Sequence, residues 1–138
     1  MITKTVVLRC DPERAFLLFT ESAGEWWPLD RRHTDDAAST IRMEASGRFF
    51  ERASDGTEVE LGVVRVFEPA RRLEIDWYPG TGREQATRVE VRFDAVEEGT
   101  RVTVIHDAGA ASLEAFSRNA PTYASSWDMV VAALAAYT

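Results

Sequence analysis

Hydrophobic and polar residues follow two different periods along the chain. Over residues 40–107, apolar and polar positions alternate in short runs separated by turn residues, which predicts consecutive strands with one buried face. Helical spacing occurs only toward the two ends, at residues 15–19 and 123–137. Asn119 is the predicted N-cap of the second helix, and Pro121 falls in its first turn. The pattern therefore predicts an α+β fold in which helices at both ends bracket one sheet.

The N-terminal region predicts one strand and two short helices. Residues 3–9 alternate as a strand, and Asp11 then offers an N-cap for a helix over Pro12–Thr20. Residues 21–27 predict a second short helix, which ends there because Pro28 disfavours helical geometry in the residue before it. The simplest topology for the strands that follow is a meander.

Length and composition are those of one domain over residues 1–138. Apolar residues make up 45% of the chain, and no run approaches the roughly 20 apolar residues that a membrane span needs. The single cysteine, Cys10, excludes an internal disulfide and a multi-cysteine metal site, so we expect it to serve in packing. Residues 1–7 alternate and lack the apolar block of a signal peptide, which predicts a cytoplasmic location.

Charge and motifs exclude several classes of function. The 16 basic and 23 acidic residues leave a formal net charge of −7, which opposes binding to nucleic acid. The basic cluster Arg31-Arg32-His33 is expected to be solvated or to pair with the neighbouring Asp35 and Asp36. No HExxH, GxSxG, phosphate-loop or paired-cysteine motif occurs, so no metal and no cofactor are expected.

Short motifs occur in a characteristic order over about 120 residues: Phe16, Phe19, Trp26-Trp27-Pro28, Gly47-Arg48-Phe49, Asp55-Gly56, Gly62-Val63-Val64, Glu68-Pro69, Trp77, Trp127 and Leu134-Ala135-Ala136-Tyr137. In this order they resemble the helix-grip superfamily of START and Bet v allergen type (SRPBCC). The resemblance is closer to its AHSA-like branch, named for homologues of the heat-shock-protein-90 ATPase activator. It implies a curved antiparallel sheet wrapped around a long C-terminal helix, with two short helices after the first strand and a pocket near the helix-loop segment.

The candidate site residues are aromatic side chains, expected to form the walls of the pocket, and a few polar groups. Alternation places His106 on the pocket face, either as an acid–base group or as a core histidine; the core reading is preferred, because a lone histidine makes no acid–base pair. The facing of Arg65 and Glu60 is open, because Gly62 is a candidate for a bulge; an inward Arg65 would bind a ligand carboxylate. The predicted ligand-binding residues are Trp27, Phe49, Arg65, Trp77, His106, Tyr123, Ser126 and Trp127.

Three functions remain open at this point. The favoured one is binding of a small, largely hydrophobic or amphipathic molecule in a cavity between the sheet and the C-terminal helix. The second is a polyketide cyclase or dehydratase-like enzyme that uses His106 as acid and base. The third is a homodimeric interaction or stress-related module without a ligand, which would associate through an edge strand or the outward faces of Trp26 and Trp27. Without a catalytic motif, the non-enzymatic reading is preferred.

Overall fold

The computed structural model describes residues 1–138. Seven strands and two α-helices follow one another along the chain, with single 3-10 turns at Ala23–Glu25, Leu29–Arg31 and Arg83–Gln85. The elements are β1 (Ile2–Leu8), α1 (Pro12–Thr20), β2 (Thr40–Met43), β3 (Arg48–Arg52), β4 (Glu58–Glu68), β5 (Arg72–Trp77), β6 (Thr87–Val96), β7 (Gly99–Asp107) and α2 (Leu113–Tyr137).

All seven strands belong to one antiparallel sheet. Their order is β1-β7-β6-β5-β4-β3-β2, so β2 to β7 form a meander, and β1 pairs with the edge of β7 that faces away from β6. The inner face carries the core: Val89, Val91 and Phe93 of β6 are buried, while the residues between them, Glu90 and Arg92, are charged. Helix α2 lies against this face, where Lys4 of β1 forms an ion pair of 2.8 Å with Asp128. The α+β helix-grip architecture expected from the sequence is confirmed.

Two β-bulges in β4 bend the sheet. Phe49 pairs with Gly62 but Phe50 pairs with Glu60, which leaves Leu61 as an extra residue in β4. A second shift leaves Arg65 without a partner on β5. Bulges increase local twist and curvature and change which residues of a strand face inward. As a result, the curved sheet can close around a cavity instead of lying flat against α2.

The two helices begin at side-chain caps. Asp11 accepts a hydrogen bond from the Arg14 backbone at 2.8 Å, which confirms the predicted start of α1. The predicted start of α2 is wrong: its N-cap is Ser112, and Pro121 lies inside the helix. Pro121 is exposed, so water can reach the carbonyl that loses its helical donor there, which lowers the cost of an interior proline.

The double tryptophan follows α1 but does not form a surface. In place of the predicted short helix over residues 21–27 there is the single turn Ala23–Glu25. Trp26 and Trp27 are each only 7% exposed, and the Trp26 indole donates to the Leu18 carbonyl at 2.8 Å. The prediction that their outward faces make a dimer surface is therefore wrong. No helix of the protein combines the length and the hydropathy that a membrane span requires.

Candidate ligand-binding site

A cavity of about 340 Å³ lies between the inner face of the sheet and α2. Fifteen residues line it, and eight of them are hydrophobic. The apolar lining comes from the strands, from α2 and from the turn after α1, which are the elements that the fold brings together at this end of the sheet. Its principal members are Trp27, Ile41, Phe49, Leu61, Trp77, Trp127 and Val130.

Flat aromatic rings form one continuous wall of the cavity. Trp77 stands at its centre, with ring centroids 5.0 Å from Phe49, 5.0 Å from Trp127 and 6.3 Å from Trp27. The planes of these pairs are inclined by 33° to 38°. Offset and tilted ring contacts of this kind contribute about 0.5–1.5 kcal/mol each beyond area burial. The wall is therefore a rigid apolar surface against which another flat ring can pack.

Polar residues form the rim of the cavity on two sides. Thr122, Tyr123 and Ser126 project from α2, and the opposite side is the run Asp30–His33 around the second 3-10 turn. Pro79 also lines the cavity. A ligand in this cavity would meet apolar rings inside and polar groups at the entrance, which is the usual arrangement of a pocket for a small molecule.

Arg32 holds the rim segment to the rest of the fold. Its guanidinium donates to the carbonyl oxygens of Gly24 at 2.7 Å, Trp27 at 2.9 Å and Ser39 at 2.9 Å. Burial lowers the pKa of Arg32, while nearby Glu51 acts in the opposite direction. The expectation that this arginine is solvated or paired with Asp35 or Asp36 is therefore wrong. Its guanidinium instead joins three backbone segments by hydrogen bonds to their carbonyl oxygens.

Glu51 holds the same segment from the other side. It is 0% exposed and accepts hydrogen bonds from the backbone of His33 at 2.7 Å and of Thr34 at 3.0 Å, and from the hydroxyls of Thr34 and Ser39. Burial raises the pKa of the Glu51 carboxyl, but these hydrogen bonds outweigh it and hold the pKa below its ordinary value. The sequence analysis missed this residue, although period-two spacing from Phe49 places Glu51 on the inner face.

His106 does not line the cavity. It is 0% exposed, behind the rings of Trp77 and Tyr123. The Trp127 indole N–H donates to His106 Nδ1 at 3.0 Å, and His106 Nε2 lies 2.6 Å from Thr87 Oγ1. Because an indole N–H can only donate, Nδ1 must be the acceptor, and Nε2 carries the proton. Thr87 in turn donates to the Trp77 carbonyl at 3.2 Å.

This chain of hydrogen bonds makes His106 a structural group that supports the residues of the cavity wall. Burial lowers the pKa of His106 to about 4, and both ring nitrogens are already engaged within the protein. The prediction that His106 binds the ligand disagrees with this placement, and so does the acid–base alternative, whereas the preferred reading as a core histidine agrees with it. His106 connects Trp127 of α2 with Thr87 of β6, and so fixes the helix on the sheet beside the aromatic wall.

Arg65 also lies away from the cavity. It is the extra residue of the second β4 bulge, its side chain is 57% exposed, and it pairs with Asp76 on the outer face at 2.7 Å. Glu60 likewise faces outward, where it pairs with Arg83 at 2.6 Å. Of the predicted ligand-binding residues, the structure brings together at the cavity Trp27, Phe49, Trp77, Tyr123, Ser126 and Trp127.

The curved sheet, the long helix and the apolar cavity between them define a helix-grip protein. The chain belongs to the family described as Activator of Hsp90 ATPase homolog 1-like protein, whose sequence model matches residues 9–138. No curated protein sequence gives a significant match. No group of three or more His, Cys, Asp or Glu side chains is arranged to hold a metal ion.

Solved structures share the fold at low sequence identity. CalC from Micromonospora echinospora, described as a self-sacrificing resistance protein, is 23% identical with a TM-score of 0.73, over 99% of this chain and 92% of that one. SSP2350 from Staphylococcus saprophyticus is 18% identical with a TM-score of 0.68, over 99% and 89%. DynU16, described as a putative protein in the dynemicin biosynthetic locus, is 20% identical with a TM-score of 0.64; the match covers 99% of this chain and 46% of that one.

Proposed function

We propose that this protein binds a small, largely hydrophobic ligand in the cavity between the sheet and α2. The observation that carries the proposal is the aromatic wall of Trp27, Phe49, Trp77 and Trp127 around about 340 Å³ of space. That volume falls at the lower end of the roughly 300–1,000 Å³ of small-molecule pockets. A core that served packing alone would fill such a space with side chains.

Catalysis through His106 is not part of the proposal. The ring is separated from the cavity by aromatic side chains, and its nitrogens contact Trp127 and Thr87. A histidine with a pKa of about 4 is also a weak base near neutral pH. A homodimer through an edge strand and a cytoplasmic location remain predictions from the sequence.

Two neighbouring serines of α2 allow a matched test. Ser126 lines the cavity, whereas Ser125 is exposed. Ser126→Phe places a ring inside the cavity, while Ser125→Phe adds the same ring to the surface of the same helix. The probe is N-phenyl-1-naphthylamine, a neutral apolar fluorophore, titrated into each protein.

The proposal predicts saturable binding to the wild-type protein. Ser126→Phe should weaken the affinity by about tenfold or more, which corresponds to about 1.4 kcal/mol, and Ser125→Phe should leave it within about twofold. Circular dichroism and thermal melts establish that both variants fold. No saturable binding to the wild-type protein, or equal affinities in the two folded variants, would show that the cavity is not a binding site.

A further inference from the structure

We infer that the rim of the cavity selects ligands that carry an anionic group, a carboxylate or sulfonate, on an aromatic body, and that Arg31 binds that group. The inference rests on the proposed function and adds to it the chemical class of the ligand. It replaces Arg65, which faces the opposite side of the sheet, as the anion-binding arginine.

Arg31 lines the cavity and has almost no partners within the protein. Its one hydrogen bond runs from Nη1 to the Asp30 carbonyl at 3.2 Å, and it forms no ion pair. Its Nε is buried and has no hydrogen-bond acceptor. A buried donor without a partner costs about 1–3 kcal/mol, and more when the group is charged. The terminal Nη2 makes no hydrogen bond within the protein, and it is the donor left for an acceptor on a ligand.

The neighbouring Arg32 also has a buried Nε without an acceptor, but its terminal nitrogens are fully engaged within the protein. The Arg32 guanidinium donates hydrogen bonds to three backbone carbonyls, and the nearby buried Glu51 carboxylate offsets its charge. Adjacent residues of one segment therefore have separate roles: Arg32 holds the segment in place, and Arg31 presents to the cavity a guanidinium whose one hydrogen bond runs to the Asp30 carbonyl. A guanidinium pairs with a carboxylate or sulfonate through two parallel N–H donors.

Few charged groups line the cavity, and a preference for an anionic ligand depends on them. The lining contains four titratable groups in addition to Tyr123: Asp30, Arg31, Arg32 and His33. Asp30 is the one carboxylate among them; it is exposed and forms no ion pair. Since the net charge of −7 opposes anions in general, any preference for an anionic ligand must come from this local arrangement.

Two probes that differ in one group separate charge from apolar packing. They are 8-anilinonaphthalene-1-sulfonate and N-phenyl-1-naphthylamine, which share the same ring system and differ only in the sulfonate. Titration calorimetry measures both with the wild-type protein, Arg31→Gln, and Arg101→Gln. Arg101 is exposed on the outer face of β7, so its variant gives the same change in net charge away from the cavity.

The inference predicts that Arg31→Gln weakens binding of the sulfonate by about tenfold or more, the loss of one charge-assisted pair, and leaves binding of the neutral probe within about twofold. Arg101→Gln should change neither, and Asp30→Asn should tighten binding of the sulfonate alone. If Arg31→Gln binds both probes as the wild-type protein does, or loses both equally while folded, the anion assignment is wrong. If the wild-type protein does not bind the neutral probe, the proposed function itself fails.

Discussion

The hydrogen bonds of His106 predict a specific dependence of stability on pH. The unfolded chain has a histidine pKa of 6.5, whereas burial lowers the pKa in the folded protein to about 4. Between these values the unfolded state binds a proton that the folded state does not, so the free energy of unfolding falls as the pH falls. The full difference corresponds to about 3 kcal/mol below pH 4, and to about 2 kcal/mol between pH 7.5 and 5. Above about pH 7.5 the effect is absent.

Urea denaturation of the wild-type protein and of His106→Gln at pH 7.5 and pH 5 tests this reasoning. Carboxylates contribute to the pH dependence of both proteins, so the informative quantity is the difference between the two pH effects. We expect the wild-type protein to lose about 2 kcal/mol more than the variant over this interval. If both lose the same free energy, or if NMR shows His106 titrating near pH 6.5 in the folded protein, the neutral histidine that we describe between Trp127 and Thr87 is wrong.

Two further predictions concern the frame of the cavity. Glu51→Gln leaves buried donors of Thr34 and its neighbours without a charged acceptor, and should lower the free energy of unfolding by about 1–3 kcal/mol in urea denaturation at pH 7. Because the pKa of Glu51 is lowered in the folded protein, the loss should be full above pH 4.5 and shrink at more acidic pH; no loss at pH 7 would contradict the role assigned to it. Gly62→Ala would place a Cβ against the Asp76 carbonyl and 2.8 Å from the Phe49 ring. This substitution should therefore lower the free energy of unfolding by about 1–3 kcal/mol or more. Gly82→Ala is the control, since Gly82 has no positive φ and the nearest atoms to its added Cβ belong to the end of the exposed Glu84 side chain, which can move. A melting temperature of Gly62→Ala at or above that of Gly82→Ala would refute the close approach.

The fold could be predicted from the sequence because the patterns that indicate it are local and repeated. Strict alternation along β6 and β7 identifies the buried face, and the Asp11 cap marks the start of α1. The start of α2 was missed because its first ten residues carry almost no apolar stripe: of residues 113–122 only Phe116 is buried. Without that stripe, Pro121 looked like a helix start, although an exposed helix accommodates it.

The site was harder to predict from the sequence, because it depends on packing between elements that are distant along the chain. Alternation correctly assigned His106 to the inner face, but it does not show that the rings of Trp77 and Tyr123 lie between this histidine and the cavity. The two bulges of β4 reverse facing at positions that period two alone does not reveal, and this is why the facing of Arg65 stayed open. The sequence shows Arg31 only as part of a basic cluster. That its side chain has few partners depends on how the rim folds, which the sequence pattern does not reveal.

The most direct test of the central claim is to locate a bound apolar molecule by NMR. Intermolecular nuclear Overhauser effects are measured between N-phenyl-1-naphthylamine and the protein, with the tryptophan rings and the valine and leucine methyls assigned. If the cavity binds the ligand, its protons contact Trp77, Trp127 and Val130, which line the cavity. If the only contacts are to exposed residues such as Val7 and Leu113, the cavity is not the binding site and the proposed function is wrong.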